Sequence, residues 1–341
     1  MAVALAVILA VGMPALAVAQ PEKVYVPEVT KQVDAGSGFD TLVAAGAGED
    51  LKYQARGTLP SDYAELEWLD YHFVDTPEET IIPDADSVSV AVLDKDGALK
   101  SELSEEVESS FSEGVLKVTI SDLKARGLDI GAGDIIQLEY DASLSETPTL
   151  GLADTNDNFI YVSYDSDERS EDSVEAQASV FSFAFEIAKV DAKDKTGLPG
   201  AQFTLRHEGY YVNGQGALGN EPHQFTTDEN GSIVVSGLAF GEYELTETRA
   251  PEGYVKPEET WTFTVDAEAD MELIVEGEFE SYQNADEGII IAHIENEKVG
   301  AAPSEGGFLS QTGGGRVVFA IAGLVLSLVL IGGATVIARR R

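Results

Sequence analysis

Residues 136–140 read Ile136-Gln137-Leu138-Glu139-Tyr140, with an apolar side chain at every second position. Because successive side chains of a β-strand point to opposite faces, this alternation predicts a half-buried strand. Similar short runs follow one another along the chain, separated by clusters of Gly, Asp, Ser and Pro. They cover residues 88–92, 115–120, 159–164, 185–190, 202–206, 232–235, 241–248, 260–265 and 288–294. Spaced short strands of this kind predict an all-β chain.

The predicted strands fall into two groups, and each group is long enough for one Ig-like antiparallel β-sandwich. We expect the first sandwich over residues 20–182 and the second over residues 183–299. Residues 180–185, at the join, are themselves strand-like, which predicts two sandwiches stacked stiffly in tandem rather than tethered by a flexible linker.

Composition excludes several classes of protein. The 341 residues contain no cysteine, so disulfides, thiolate metal sites and cysteine nucleophiles are excluded. With 21 Lys and Arg against 61 Asp and Glu, the formal net charge is −40, and such a surface repels nucleic acid. The four histidines have no metal-binding spacing, and no serine, histidine and acid set suggests a hydrolase. We therefore expect no metal, no cofactor and no enzymatic turnover.

Both ends of the chain have the composition of targeting segments. Residues 1–19 form an apolar run that ends in Ala17-Val18-Ala19, which predicts a signal helix cleaved after Ala19. We expect residues 300–308 to be a flexible linker to the segment at the other end. There, Leu309-Ser310-Gln311-Thr312-Gly313 precedes an apolar run over residues 317–338 and a basic tail, Arg339-Arg340-Arg341. As a helix the apolar run is ~33 Å long, enough to span a bilayer with the tail on the cytoplasmic side.

This order of motif, apolar helix and basic tail resembles the LPxTG sorting signal of Gram-positive surface proteins, with Ser310 in place of the usual Pro. The resemblance implies that sortase cuts between Thr312 and Gly313 and joins Thr312 to an amine of peptidoglycan or of another subunit. The mature protein is then secreted and anchored to the cell wall, after a precursor stage that spans the membrane. A plain membrane anchor at the tail is the alternative.

The second region carries four motifs in order: KVDA (189–192), GLPGAQF (197–203), YELTETRAPEGY (243–254) and IENEK (294–298). Together they resemble the Cna B-type domain of Gram-positive pilins and adhesins, which forms a spontaneous isopeptide bond. The resemblance implies that Lys189 is joined to Asn296, with Glu247 as helper acid. Burial would favour the neutral amine and the protonated acid that this chemistry needs. The alternative is that Lys189 and Glu247 form an exposed charge pair.

The first region carries PEVTKQV (27–33), GTLPSDY (57–63), YHFVDT (71–76) and NDNFIYVSY (156–164). These motifs resemble the isopeptide-forming domain of fimbrial subunits. The matching roles are Lys31 as amine, Asp75 as helper acid and Asn158 as acceptor, with Asn158 expected to pair beside Lys31. Asn156 is the rival acceptor.

The resemblances imply a sortase-anchored pilus subunit whose partners are sortase, peptidoglycan and other pilins. Fimbrial subunits of this family carry an acceptor lysine, often in a Tyr-Pro-Lys motif. Here the corresponding stretch is KVYVPE (23–28), in which Lys23 is the candidate acceptor. The alternative is a stand-alone wall-anchored adhesin for a host or community ligand, with residues 210–217 as a contacting loop or simply a hairpin tip.

Overall fold

The structure is a computed structural model, which describes residues 26–104, 107–267, 273–277, 279–284 and 287–300. The predicted signal helix, linker, sorting motif and membrane-spanning helix, and the candidate acceptor Lys23, lie outside these residues. Among the residues that the structure describes, no helix has the length and apolar character needed to cross a membrane.

The first sandwich is formed by strands that run from residue 29 to residue 181. Their bounds are β1 (Val29–Asp34), β2 (Leu42–Ala44), β3 (Asp50–Thr58), β4 (Leu69–Pro77), β5 (Ile81–Pro83), β6 (Ser89–Leu93), β7 (Leu99–Glu102), β8 (Glu108–Ser112), β9 (Val115–Ile120), β10 (Ile135–Leu144), β11 (Asn156–Ser166), β12 (Ser170–Asp172) and β13 (Ala176–Phe181). Two short 3-10 turns, Tyr63–Glu65 and Ala85–Ser87, connect them.

These strands form two sheets. One has the order β1-β3-β10-β6-β7, with β5 beside β10, and the other has the order β2-β13-β11-β4-β9-β8, with β12 beside β11. The alternation that predicts β10 is confirmed, because residues 136, 138 and 140 are buried while their neighbours are only partly covered. In β11 the same period buries residues 156, 158, 160, 162 and 164, so two asparagines share the core-facing side of the strand with apolar residues.

The second sandwich begins at residue 183. Its strands are β14 (Phe183–Asp191), β15 (Gln202–His207), β16 (Tyr210–Val212), β17 (Leu218–Gly219), β18 (Phe225–Thr226), β19 (Ser232–Leu238), β20 (Gly241–Arg249), β21 (Thr260–Ala267), β22 (Leu273–Gly277), β23 (Glu280–Asn284) and β24 (Ile289–Asn296). One sheet has the order β19-β14-β24-β23 and the other the order β17-β16-β15-β20-β21-β22, with β18 beside β15. Strands β14 and β24 run parallel, so the first and last strands of this sandwich are neighbours.

Each sandwich has its own apolar core. The first core includes Tyr53, Tyr71 and Phe73, and the second includes Phe185, Tyr243 and Phe263. The all-β class and the tandem sandwiches predicted from the sequence are therefore confirmed.

The join between the sandwiches is short, and backbone segments of the two sandwiches are in direct contact there. Ser182 is fully buried between β13 and β14 and accepts a backbone hydrogen bond from Gly151 at 3.0 Å. The Ala47 amide donates to the carbonyl of Gly237 at 2.8 Å. A Cβ at Gly288 would lie only 2.4 Å from the nitrogen of Gly151, so the close approach requires glycine there.

Candidate functional site

The second sandwich brings Lys189 and Asn296 together on neighbouring strands. In the parallel pairing of β14 with β24, Lys189 lies opposite Ile294 and Asp191 lies opposite Asn296. Residues two apart share a face of a sheet, so both side chains point into the core, where Lys189 is 0% and Asn296 2% exposed. The Lys189 amine donates to Oδ1 of Asn296 at 2.6 Å and to the carbonyl of Ile294 at 3.1 Å.

Glu247 reaches the same place from the facing sheet. It lies on β20 and is fully buried. Its Oε1 accepts a hydrogen bond from Nδ2 of Asn296 at 2.8 Å, and its Oε2 lies 3.6 Å from the Lys189 amine. The amide of Asn296 is thus held between the amine at its oxygen and the acid at its nitrogen. The alternative of an exposed charge pair is wrong, because both charged side chains are buried.

Burial shifts both ionisable groups of this site toward their neutral forms. Burial lowers the pKa of Lys189 from 10.5 to about 8, although Glu247 opposes the shift. Burial also raises the pKa of Glu247 above its ordinary 4.5, against the opposing effects of Lys189 and Asn296. A neutral amine beside a protonated carboxyl is the pair that attack on an amide requires.

The first sandwich assembles its set across the two sheets. Lys31 lies on β1, whereas Asp75 and Asn158 lie on β4 and β11, adjacent strands of the opposite sheet. Asp75 pairs with Ile160 in the register of these strands, so Asn158 lies two positions further along on the same face. Lys31 is 2% exposed, and Asp75 and Asn158 are 0% exposed. The Lys31 amine donates to Oδ2 of Asp75.

The predicted pairing of Asn158 beside Lys31 is wrong. Strand β1 pairs with β3, where Lys31 lies opposite Ala55, and β11 is flanked by β13 and β4. Alternation along a strand predicts which side chains face the core but not the sheet to which the strand belongs. The two sandwiches therefore differ: in the second the amine and the amide share a sheet, and in the first they face each other.

Tyr140 is a polar member of the first site that the sequence reasoning missed. Its hydroxyl accepts a hydrogen bond from Nδ2 of Asn158 at 2.7 Å and donates to Oδ1 of Asp75 at 3.0 Å. The Lys31 amine lies 3.4 Å from the same hydroxyl oxygen. The alternation of residues 136–140 places Tyr140 in the core, but nothing in the sequence indicates that its hydroxyl meets these groups.

The walls of the first site are aromatic. The rings of Tyr53 and Tyr140 are stacked with their centroids 5.4 Å apart, and the Lys31 amine lies 5.0 Å from the centroid of the Tyr53 ring. This burial lowers the pKa of Lys31 from 10.5 to about 8, with Asp75 opposing the shift. It raises the pKa of Asp75, against the charge of Lys31 and the hydrogen bonds that Lys31 and Tyr140 donate. Both shifts have the same direction as in the second sandwich.

Asn156, the rival acceptor, has a different set of partners. Its Nδ2 donates to the carbonyls of Thr149 at 3.0 Å and Val180 at 2.9 Å, and its Oδ1 accepts from the Thr149 amide at 2.8 Å. Oδ1 of Asn158, by contrast, is buried without a hydrogen-bond partner among the described residues. The geometry gives Asn156 the role of fastening β11 to its surroundings and leaves Asn158 at the site.

Two other features of the sequence were candidates for a site, the acidic and histidine side chains and the segment 210–217. Within the described ranges no group of three or more His, Asp or Glu side chains could hold a metal ion. Residues 210–219 form a β-hairpin, β16 and β17, and a Cβ at Gly216 would lie 2.2 Å from the carbonyl oxygen of Ser236. The hairpin is therefore packed against the body of the second sandwich.

Comparison with known proteins relates the chain to a protein family and to solved structures. Residues 183–278 match the family described as SpaA, a prealbumin-like fold domain. No curated protein matches the sequence. The chain is similar in structure to the pilus 2b backbone protein of group B streptococcus, with a TM-score of 0.60 and 21% identity over 79% of this chain and 97% of that one.

Two further solved structures of pilins are also similar to this chain. The T6 backbone pilin of serotype M6 Streptococcus pyogenes matches with a TM-score of 0.55 and 17% identity over 80% of this chain and 70% of that one. The major pilin SpaA of Corynebacterium diphtheriae matches with a TM-score of 0.53 and 18% identity over 80% and 69%, and its structure points to a modular pilus assembly with stabilising isopeptide bonds.

The chain therefore has the fold of Gram-positive pilin backbone proteins. Within its second sandwich, residues 183–278 match the prealbumin-like fold domain of SpaA. The expected relation to these pilins is confirmed at the level of the fold.

Proposed function

We propose that this chain is a pilus subunit of a Gram-positive cell surface, locked by two intramolecular isopeptide bonds, Lys31 to Asn158 and Lys189 to Asn296. The observation that carries the proposal is the repeated burial of a lysine, an acid and an asparagine, once in each of two tandem sandwiches with a pilin fold. Burying such a set is expensive in free energy, so its recurrence in two different geometries favours a chemical role.

The proposed chemistry uses the contacts of these buried side chains. The neutral lysine amine attacks Cγ of the asparagine, the acid supports the proton movements, and the amide nitrogen departs as ammonia. The lysine and asparagine side chains become one amide bond. Folding provides the proximity, so the reaction occurs once in each sandwich and is a self-modification without turnover.

The second bond would alter the path of force through the molecule. The chain enters the second sandwich at β14 and leaves it after β24. A bond between Lys189 and Asn296 would join these two strands directly, so tension along the chain would bypass the strands that lie between them. This suits a subunit of a fibre under load, and a chain without cysteine has no disulfide to serve instead.

Attachment is the second half of the proposal. Residues 309–313 would serve as the sortase motif, with transfer of Thr312 to peptidoglycan or to another pilin, and Lys23 would be the acceptor amine for polymerisation. The protein would then lie outside the cell, anchored to the wall. The net charge of −40 fits a solvated outer surface that has no nucleic acid partner.

Mass spectrometry tests the bonds. The intact mass of the predicted mature chain, residues 20–312, should fall short of its sequence mass by two molecules of ammonia. Digestion should yield joined peptides containing Lys31 with Asn158 and Lys189 with Asn296. An unmodified mass would refute the proposed self-modification.

Wall extracts test the pilus role. In a Gram-positive cell that makes this chain together with a pilin sortase, a ladder of detergent-resistant polymers is expected. Thr312→Ala should abolish every wall-linked form, and Lys23→Arg should abolish the ladder while leaving a single wall-linked species. A single species from the unaltered chain would instead favour the stand-alone adhesin.

A further inference from the structure

Tyr140 contacts each of the three reacting side chains proposed for the first sandwich. Its hydroxyl oxygen lies 2.7 Å from Nδ2 of Asn158, 3.0 Å from Oδ1 of Asp75 and 3.4 Å from the Lys31 amine. The side chain is 1% exposed, so bulk water does not compete for these hydrogen bonds. The hydroxyl accepts from the asparagine amide and donates to the acid at the same time.

The second sandwich has no need of such a group. There Oε1 of Glu247 accepts directly from Nδ2 of Asn296 at 2.8 Å, so the acid itself meets the nitrogen that departs. In the first sandwich the acid is aspartate, one methylene shorter, and the hydrogen bond of the amide nitrogen goes to Tyr140 instead. The phenol fills the gap between a short acid and the departing nitrogen.

We propose that the Tyr140 hydroxyl is a catalytic proton relay between Asp75 and Nδ2 of Asn158 during isopeptide formation in the first sandwich. The inference rests on the proposed self-modification and adds to it a fourth reacting residue. It also implies that the proton for the departing nitrogen takes a different route in each sandwich. In the first it passes through the phenol of Tyr140, and in the second it comes directly from the carboxyl of Glu247.

The step balances as follows. The lone pair of neutral Lys31 Nζ forms a bond to Cγ of Asn158, and the carbonyl π pair moves onto Oδ1. Tyr140 gives its proton to Nδ2 and takes the proton of the Asp75 carboxyl, while Asp75 takes the proton that Nζ loses. The pair on Oδ1 then re-forms the carbonyl and the bond from Cγ to Nδ2 breaks. Ammonia leaves, one amide replaces another, and Tyr140 and Asp75 end as they began.

Tyr140→Phe removes the relay and keeps the ring. The chain contains a matched control in Tyr71, which is fully buried in the same core and whose hydroxyl donates to the backbone carbonyl of Thr58 at 3.4 Å rather than to a reacting side chain. Tyr71→Phe therefore removes a buried phenol of the first sandwich while leaving the hydrogen bonds of Tyr140 in place. The second sandwich serves as an internal control within each molecule.

The measurement is the fraction of Lys31-to-Asn158 peptide at intervals after purification, with Lys31→Ala as the unlinked reference. General acid–base groups contribute roughly 100-fold or more to a rate, so Tyr140→Phe should slow the first linkage by about 100-fold. Tyr71→Phe should match the unaltered chain, and the second linkage should be complete in all variants. Equal rates for Tyr140→Phe and the unaltered chain would overturn the relay. Absence of the first link in the unaltered chain would instead overturn the proposed self-modification.

A second variant keeps the test decisive if Tyr140→Phe prevents the first sandwich from folding. A ring-fluorinated tyrosine placed at position 140 keeps the ring and the hydroxyl but makes the hydroxyl more acidic. A relay predicts a linkage rate that changes with that acidity, because proton transfer follows the acid strength of the donor. A rate that does not change would assign Tyr140 to packing alone.

Discussion

Glu247→Gln isolates the contribution of the second bond to stability. The substitution keeps the shape of the side chain and its place beside Asn296, but it removes the acid, so the second link should not form. Lys189 and Asn296 are 107 residues apart in the sequence. In the chain-entropy treatment developed for disulfides, a cross-link that closes a loop of about 100 residues stabilises the folded state by about 4.7 kcal/mol.

For a domain of about 100 residues, each 1 kcal/mol corresponds to roughly 4–8 °C in Tm. The second sandwich of Glu247→Gln should therefore melt about 19–38 °C lower than in the linked chain. Calorimetry follows the melting and intact mass reports the link, which should be absent from this sandwich only. Glu242→Gln, at an exposed position of the same strand, is the control and should change neither.

Two results would refute the reasoning. Complete linkage in Glu247→Gln would mean that the acid is not needed. An unlinked Glu247→Gln chain with the Tm of the linked protein would mean that the covalent bond adds no stability to the fold.

Three further predictions concern the sites and the join. Asn158→Ala should abolish the first link whereas Asn156→Ala should retain it, as peptide mapping would show; the reverse result would restore Asn156 as acceptor. Asn296→Ala leaves Lys189 as a free buried amine whose pKa is lowered to about 8 in the folded state. Between pH 8 and 10.5, the ordinary pKa of lysine, the unfolded chain then binds more protons than the folded chain, so the Tm of this sandwich should rise with pH in that window. The Tm of the linked chain should not rise in this way. A Tm of Asn296→Ala that does not change with pH would contradict the lowered pKa of Lys189. Gly288→Ala should destabilise the protein by about 1–3 kcal/mol more than Gly209→Ala, because φ is positive at both but a Cβ has open space only at Gly209. Equal Tm values for these two variants would mean that the backbone at the join can shift to accommodate a Cβ at position 288.

Much of the fold could be predicted from local pattern. Alternation in residues 136–140 and the runs around it placed the strands, since the period of two is a local property of the backbone. The strand pairings could not be derived in this way, because they depend on which apolar faces meet across the sandwich. Asn158 illustrates the limit: its position on a core-facing side was predictable, while its place in the sheet opposite Lys31 was not.

The site residues that lie within recognisable sequence motifs could be predicted. The sequence motifs identified Lys189, Glu247 and Asn296, and the structure brings these three within direct contact. Tyr140 was not predicted as a site residue because a tyrosine at a buried position of an apolar run is common in protein cores. Its role depends on three hydroxyl contacts with residues on other strands, and no local signal records them.

In the proposed self-modification, the separation of the reactive residues along the chain also sets an order of events. Lys31 and Asn158 both precede the second sandwich, so the first bond can close while later residues are still being made or moved. Asn296 lies on the last strand, so the second bond must wait until nearly the whole sandwich has left whatever channel the unfolded chain passes through. Sequence position would therefore allow the first ring to close before the second.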